Sequence, residues 1–226
     1  MSSNLYYEFE NNFRGDSLSL KKTLTSYDSL VDLIIKHNEH NFFIDIGCGR
    51  GEWIEKWSTR VNKCIGLELD EGMFNICKEK NLDVLLSDPL DFLKDIKDDS
   101  VSLISMFHVI EHITHDNLIL LLTECHRVLT QKGLLLMETP SIDNLLVSSK
   151  NFYLDHTHIN HINPDGVKFF LDKIGYCSSE YFYIHGGPLQ NSDHFKLTRV
   201  LNGIAQDVLF VSTKSSESSK NIFENM

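Results

Sequence analysis

The chain is short of positive charge. Against 32 Asp and Glu stand 21 Lys and Arg, a formal net charge of −11 over 226 residues. A tight grip on nucleic-acid phosphates needs clustered Lys and Arg, so this balance argues against a nucleic-acid partner. Cysteines are few: five in all, with no C-x-x-C pair. An odd set without metal or redox spacing reads as reduced thiols in a cytoplasmic compartment. No apolar run is long enough to cross a bilayer, the run LILLL at 118–122 being among the longest. The opening MSSNLYYEFENNFRGD carries acids and lacks the apolar core of a signal peptide. There is no internal repeat. The 42% hydrophobic and 23% charged content is that of an ordinary globular protein. The length suits one large domain, or one domain with a small annex.

What is present is an alternation of short apolar runs with helical patterns. NFFIDI (41–46), KCIGLEL (63–69), DVLLS (83–87), VSLISMF (101–107) and GLLLMET (133–139) read as five strands joined by helical crossovers. SEYFYIH (179–185) and DVLFVST (207–213) add two late strands, near enough in sequence to pair antiparallel at an edge. Helices are expected over 51–60, 71–80, 116–130 and 163–176, and one or two more within 16–38. Asp116 is the expected N-cap of the third, and Pro164 and Gly175 bracket the fourth. No element is assigned to DFLKDIKDDS (91–100), and 141–163 reads as an irregular insertion. The pattern predicts an α/β fold: a doubly wound, mostly parallel seven-stranded sheet, Rossmann-like, with an antiparallel edge. Residues 1–39 read as an N-terminal helical arm or lid, 40–214 as the main domain, and the Ser-rich 215–226 as a flexible polar tail.

DIGCGRG (45–51) follows the first strand, where a doubly wound sheet binds its ligand. Gly47 and Gly49 can take positive φ and leave the backbone bare to a ligand, and Gly51 lets the next helix start against the strand. The dinucleotide fingerprint G-x-G-x-x-G needs glycine at 52, where the chain has Glu52. That acid suits a pyrophosphate poorly, which disfavours an NAD enzyme. Nor does Gly-Lys-Ser/Thr follow, as a phosphate loop requires. Asp45, just before the loop, favours a cationic ligand.

DIGCGRG resembles motif I of the class I S-adenosylmethionine (SAM) methyltransferases, whose ligand carries an ammonium and a sulfonium and no phosphate. Later segments are similar to that family in order and spacing, over roughly residues 40–215. The resemblance makes 40–214 a SAM-dependent methyltransferase domain, with SAM as cofactor and S-adenosylhomocysteine (SAH) as product. Glu68, in GLELD, would accept the ribose hydroxyls, with Asp70 a weaker candidate. Asp88 in LLSDPLDFL would take the adenine amino group, and Leu90 would flank the ring. Phe107, in SMFHVIEH, ends the strand where this family positions the methyl group and acceptor.

Methyl transfer to a hydroxyl needs a general base, and histidine is the usual choice. Two stretches supply it: FHVIEH with His108, Glu111 and His112, and FYLDHTHINH with Asp155, His156, His158 and His161. Insertions after the fifth strand commonly roof the acceptor pocket in this family. His158 is the expected base with Asp155 orienting it, then His112, with His108 on the pocket wall. HVIEH also fits the inverted zinc-protease pattern, but it follows a strand end rather than lying on one helix. Some quinone-biosynthesis methyltransferases carry a metal-binding E-x-x-E-H here. His108 replaces their first Glu, and no metal ligand is assigned.

YYEFENNFRGD (6–16) and NFYLDHTHINHINPDGVKFFLDKIGY are similar to the bacterial methyltransferases of O-antigen and other surface polysaccharides, with His156 replacing the proline of their Asp-Pro-Thr-His. This resemblance makes Arg14 a candidate for the SAM carboxylate, with Gly15 letting the backbone bend close. It implies an O-methyltransferase acting on a sugar hydroxyl of a glycan or sugar nucleotide, ending chain growth, in association with a membrane-bound glycan assembly complex. The alternatives are a small-molecule methyltransferase for a quinone or secondary metabolite, or a SAM-binding module without catalysis.

Overall fold

The computed structural model describes residues 8–9, 12–13, 17–185, 205–216 and 222. Strands β1 (Phe42–Ile46), β2 (Lys63–Glu68), β3 (Val84–Leu86), β4 (Val101–Phe107), β5 (Leu129–Pro140), β6 (Ser178–Ile184) and β7 (Asp207–Thr213) form one seven-stranded sheet. Its order is β3-β2-β1-β4-β5-β7-β6. The pairs among the first five strands are parallel. β7 runs antiparallel to both β5 and β6, so it inserts between them and leaves β6 at the edge. This is the Rossmann-like methyltransferase arrangement expected from the strand pattern.

Both faces of the sheet are buried, and alternate residues serve opposite faces, as the two-residue strand period requires. Ile44, Ile65, Ile104 and Leu135 enter one core cluster. Their neighbours Phe43, Cys64, Leu103 and Leu134 enter the other. Helices α6 (His115–Val128) and α7 (Pro164–Ile174) cover the first face with Leu118, Leu122 and Leu171. α2 (Asp28–His37) and α3 (Glu52–Trp57) cover the second with Val31, Ile34, Ile54 and Trp57. The segment before the sheet is α1 (Ser17–Thr23), a 3-10 turn (Leu24–Tyr27) and α2. Leu24, Tyr27 and Leu30 from it belong to the same core cluster as the sheet.

Some local expectations change. α6 is capped by Thr114, whose hydroxyl accepts from the Asn117 amide; Asp116 lies in the first turn, where its charge suits the helix dipole. α4 (Glu71–Glu79) matches expectation, but DFLKDIKDDS is not all connection. α5 (Pro89–Lys94) runs into it, with Asp88 accepting from the amides of Leu90 and Asp91 and Pro89 in the first turn. Asp and Pro at those two positions are a helix-start signal that short length obscures. The insertion 141–163 contains a π-helical turn (Val147–Asn151) and a 3-10 turn (Phe152–Leu154). Gly175 ends α7 at φ 116°. The five cysteines are free thiols. Among the described residues no helix is long and apolar enough to cross a membrane.

Candidate active site

The strand order reverses between β1 and β4, which share a register of Asp45 beside Ser105. The loops leaving their carboxyl ends therefore diverge and open a crevice. Into it opens a cavity of about 490 Å³ lined by Asp45, Gly47, Gly49, Phe107, His108 and His158, among others.

The glycines of the first loop do two different jobs. Gly47, Gly49 and Gly51 all have positive φ, at 67°, 53° and 79°. A Cβ on Gly47 would lie 2.5 Å from Val109 Cγ2, and one on Gly51 would lie 2.4 Å from Leu82 Cδ1. Those two are packing glycines as well as turn glycines. A Cβ on Gly49 would meet nothing within 4 Å, so this glycine faces open space. Gly47 thus lacks a side chain because Val109 needs the room, and it also lines the cavity.

Glu68 ties the loop to the end of β2. Its Oε2 accepts from the Gly49 amide at 2.8 Å, and its Oε1 accepts from the Leu69 and Asp70 amides at 2.8 and 2.9 Å. Burial pushes its carboxyl pKa up, opposed by these backbone donors. A carboxylate offers about four lone pairs, so the loop uses most of them. Asp70 is the N-cap of α4, accepting from Met73, and is committed there. Asp88 is exposed and caps α5; Leu90 beside it is half-buried. Glu68, Asp88 and Leu90 lie outside the cavity lining, along the ends of β2 and β3.

Asp45 is buried and accepts from the Ser105 hydroxyl at 2.7 Å. Glu52 sits within 3.1 Å of Arg50 Nε, both side chains buried, so its charge has a counter-ion inside the loop. Phe107 packs against Trp53 and Tyr27, ring centroids 4.9 and 5.4 Å apart. Arg14 and Gly15 lie outside the described residues.

The far end of the cavity holds a network of acids and histidines from four strand ends. His108, at φ 56°, has Nδ1 3.4 Å from Glu111 and Nε2 3.3 Å from Glu138. Glu138 accepts from the Tyr27 hydroxyl and lies 3.4 Å from His185 Nδ1, which is 3.0 Å from Asp207. Asp207 raises the His185 pKa through that contact. Glu111 is fully buried; desolvation alone would raise its pKa, but His108 and His112 beside it hold it low.

The insertion is pinned onto the turn after β4. The amides of Ile159 and Asn160 donate to the Glu111 carbonyl, and Asn160 Nδ2 donates to the Ile113 carbonyl at 2.7 Å. This brings His158 and His112 together, ring centroids 4.6 Å apart. Their tautomers follow from their neighbours. The Thr157 hydroxyl lies 2.6 Å from Asp155 Oδ1, which as a carboxylate only accepts; its oxygen, 2.9 Å from His112 Nδ1, therefore accepts the Nδ1 proton. His158 Nδ1 lies 2.7 Å from the Phe152 carbonyl and must donate to it. Each ring keeps a lone pair on Nε2. Burial lowers the His112 pKa, which keeps that lone pair unprotonated.

Asp155 therefore orients His112 through Thr157; its Oδ2 is 3.9 Å from His158 Nε2, beyond a hydrogen bond. His156 and His161 are exposed, and His161 stacks on Phe152 at 3.7 Å. Tyr27, Glu138, His185 and Asp207 join the site in addition to the residues that the sequence pattern singles out. Glu138 and Asp207 carried a signal, acids at strand ends, but Tyr27 carried none. Among the described residues, two groups each place three metal-competent side chains within 4.8 Å: Glu111, His112 and His158, and His108, Glu138 and Asp207.

Residues 44–137, from β1 into β5, match a family described as a methyltransferase domain. No curated protein matches the sequence. The chain is similar to a SAM-dependent methyltransferase from Archaeoglobus fulgidus at 26% identity and TM-score 0.76, over 92% of this chain and 99% of that one. It shares its fold with the plantazolicin methyltransferase BamL, solved with a desmethyl analogue and SAH, at 13% identity and TM-score 0.65 over 94% and 91% of the two chains. It also shares it with phosphoethanolamine N-methyltransferase 2 of Haemonchus contortus, solved with SAM, at 13% identity and TM-score 0.57 over 84% and 53%.

Proposed function

We propose that this chain, a SAM-dependent methyltransferase, moves its methyl group onto a sugar hydroxyl in the assembly of O-antigen or another surface polysaccharide. The methyltransferase class and the cofactor are common ground with the matched domain and with the Archaeoglobus fulgidus structure. The acceptor is our own reading.

In this reading SAM lies along the ends of β1 to β4. Its adenine meets Leu90 and Asp88, and its ribose meets Glu68 through the lone pair that the loop leaves over. Its methionine crosses the open space at Gly49 toward Asp45, with Arg14 and Gly15 as further partners of the carboxylate. The acids of the cavity favour the ammonium and sulfonium. The acceptor enters from the insertion side. Its oxygen attacks the methyl carbon, the carbon–sulfur bond breaks, SAH remains, and the hydroxyl proton passes to His158 Nε2, with His112 beside it. His108 holds Glu111 and Glu138 at the cavity wall. Alignment of donor and acceptor supplies much of the acceleration.

The observation that carries the hydroxyl reading is the His112–His158 pair, each with Nδ1 tied and Nε2 left as acceptor. Support for a sugar comes from the O-antigen-like segments at 6–16 and 151–176 and from a wall rich in carboxylates, which accept from polyol hydroxyls. One observation favours a small apolar acceptor such as a quinone instead: Phe13, Leu20, Leu24, Val147 and Leu154 line another part of the same cavity. Incubation with methyl-labelled SAM and surface-glycan fractions separates the two. Label in a glycan, lost in His158→Ala with SAM binding retained, supports our reading. Label only in the lipid-soluble small-molecule fraction overturns it.

A further inference from the structure

The corner where the turn after β4 meets the insertion has a feature that proton transfer leaves unused. Glu111 is fully buried, and its Oε1 accepts no hydrogen bond of standard geometry, with His108 Nδ1 3.4 Å away. A buried, ionised oxygen without a donor is costly unless positive charge is delivered to it. Its second oxygen is already fixed, accepting from the Thr139 hydroxyl at 3.0 Å.

His112 and His158 complete the corner. One ligand atom from each of the three residues lies within 4.8 Å of the others, and His158 Nε2 is 3.9 Å from Glu111 Oε1. Each imidazole gives its Nδ1 proton away, His112 to Thr157 and His158 to the Phe152 carbonyl. That is the outer-shell pattern of metal-ligating histidines, which donate one ring N–H to a fixed acceptor and turn the other nitrogen to the ion. Coordination bonds of about 2.0–2.2 Å place tetrahedral neighbours roughly 3.4 Å apart, so the His158–Glu111 pair must close by about half an ångström and no pair by more than about 1.4 Å. The other candidate group is more fully engaged: Tyr27, His108 and His185 all lie against Glu138, whereas His108 is the one of these that lies against Glu111 Oε1.

We propose that Glu111, His112 and His158 bind one divalent transition-metal ion of the zinc class, joining the turn after β4 to the insertion after β5. Two neutral imidazoles and one carboxylate suit zinc, cobalt, nickel or ferrous iron; magnesium and calcium prefer oxygen ligands. A fourth position faces the cavity, since His112 and His158 both line it. The inference rests on the reading above in one respect: the His158 lone pair serves either the ion or the acceptor's proton, so loading competes with transfer.

The test uses the full chain, freed of metal by chelator. Calorimetry with Zn2+ should show one ion per chain, and Co2+ should give the visible absorption of a low-coordinate imidazole site. Zn2+ should also raise the thermal midpoint. Glu111→Gln and His158→Ala should each weaken Zn2+ binding at least tenfold while SAH binding shows the variants folded. Thr157→Val should weaken it by about tenfold through the outer shell. His156→Ala, in the same loop but exposed, should bind as the wild type does. No saturable uptake by the wild type, equal uptake by Glu111→Gln and His158→Ala, or equal affinity for Mg2+ would each overturn the site. Zn2+ should slow methyl transfer, and acceleration would overturn the competition. The two readings fail separately: normal turnover in His158→Ala removes the base, whereas a wild type that takes up no metal removes the ion.

Discussion

The Tyr27 hydroxyl donates to Glu138 Oε2 across 111 residues of sequence. It joins the helical segment before the sheet to the carboxyl end of β5, at the wall of the cavity. Tyr27 is buried, and burial together with the Glu138 charge pushes its phenol pKa far up, so it stays a donor at every working pH.

Tyr27→Phe should therefore destabilise the fold by about 1–3 kcal/mol, the cost of leaving a buried carboxylate short of a donor. Urea denaturation of the two proteins checks it. An unchanged midpoint would mean that His108 and His185 satisfy Glu138 without help.

The glycine loop makes a paired prediction. Gly47→Ala adds strain at positive φ and drives a Cβ into Val109, so it should cost about 2–4 kcal/mol of stability. Gly49→Ala carries only the backbone strain, about 1–2 kcal/mol, but projects into the open space through which we propose that SAM runs. Its SAM affinity should fall at least roughly tenfold while the chain stays folded. Calorimetry beside denaturation distinguishes the two, and equal behaviour would remove Gly49 from the ligand path.

Glu68→Gln replaces one accepting oxygen with an amide NH2 facing a backbone donor. Hydrogen bonds to charged groups are worth about 1.5–3 kcal/mol, so SAM affinity should drop by roughly ten- to a hundredfold. Retained affinity, by calorimetry, would show that the ribose is held elsewhere.

His112 should titrate below its ordinary 6.5, because burial disfavours the charged ring. Its folded pKa is depressed, so the neutral ring's contribution to stability is present above 6.5 and is lost as pH falls through the lower native value. Nitrogen-resolved NMR should show the Nδ1–H tautomer for both His112 and His158 at neutral pH. An Nε2–H signal on either ring would break the proton-acceptor reading for that ring.

His185 has the opposite sign. Its hydrogen bond to Asp207 raises its pKa above 6.5, so this stabilisation is fully present below 6.5 and fades as pH rises through the native value. Asp207→Asn should flatten the decline of stability on the alkaline side of 6.5 in pH-resolved denaturation. An identical slope in both proteins would assign it to other groups.

The sequence by itself determined the layered fold. Two-residue alternation such as Phe43 and Ile44 can bury both neighbours only in a covered sheet, and DIGCGRG behind the first strand placed the glycine loop at the mouth of the cavity. Local signals also gave the ends of α7, since Pro164 and Gly175 act on their own backbone. The tertiary structure alone decided which side chains meet at the reaction end. Nothing local to Tyr27, Glu138, His185 or Asp207 says that they share one network, because helix packing and the antiparallel insertion of β7 bring them together. The same is true of Asp155. Its neighbours suggested that it orients His158, yet the fold routes its charge through Thr157 to His112, a contact spanning 45 residues.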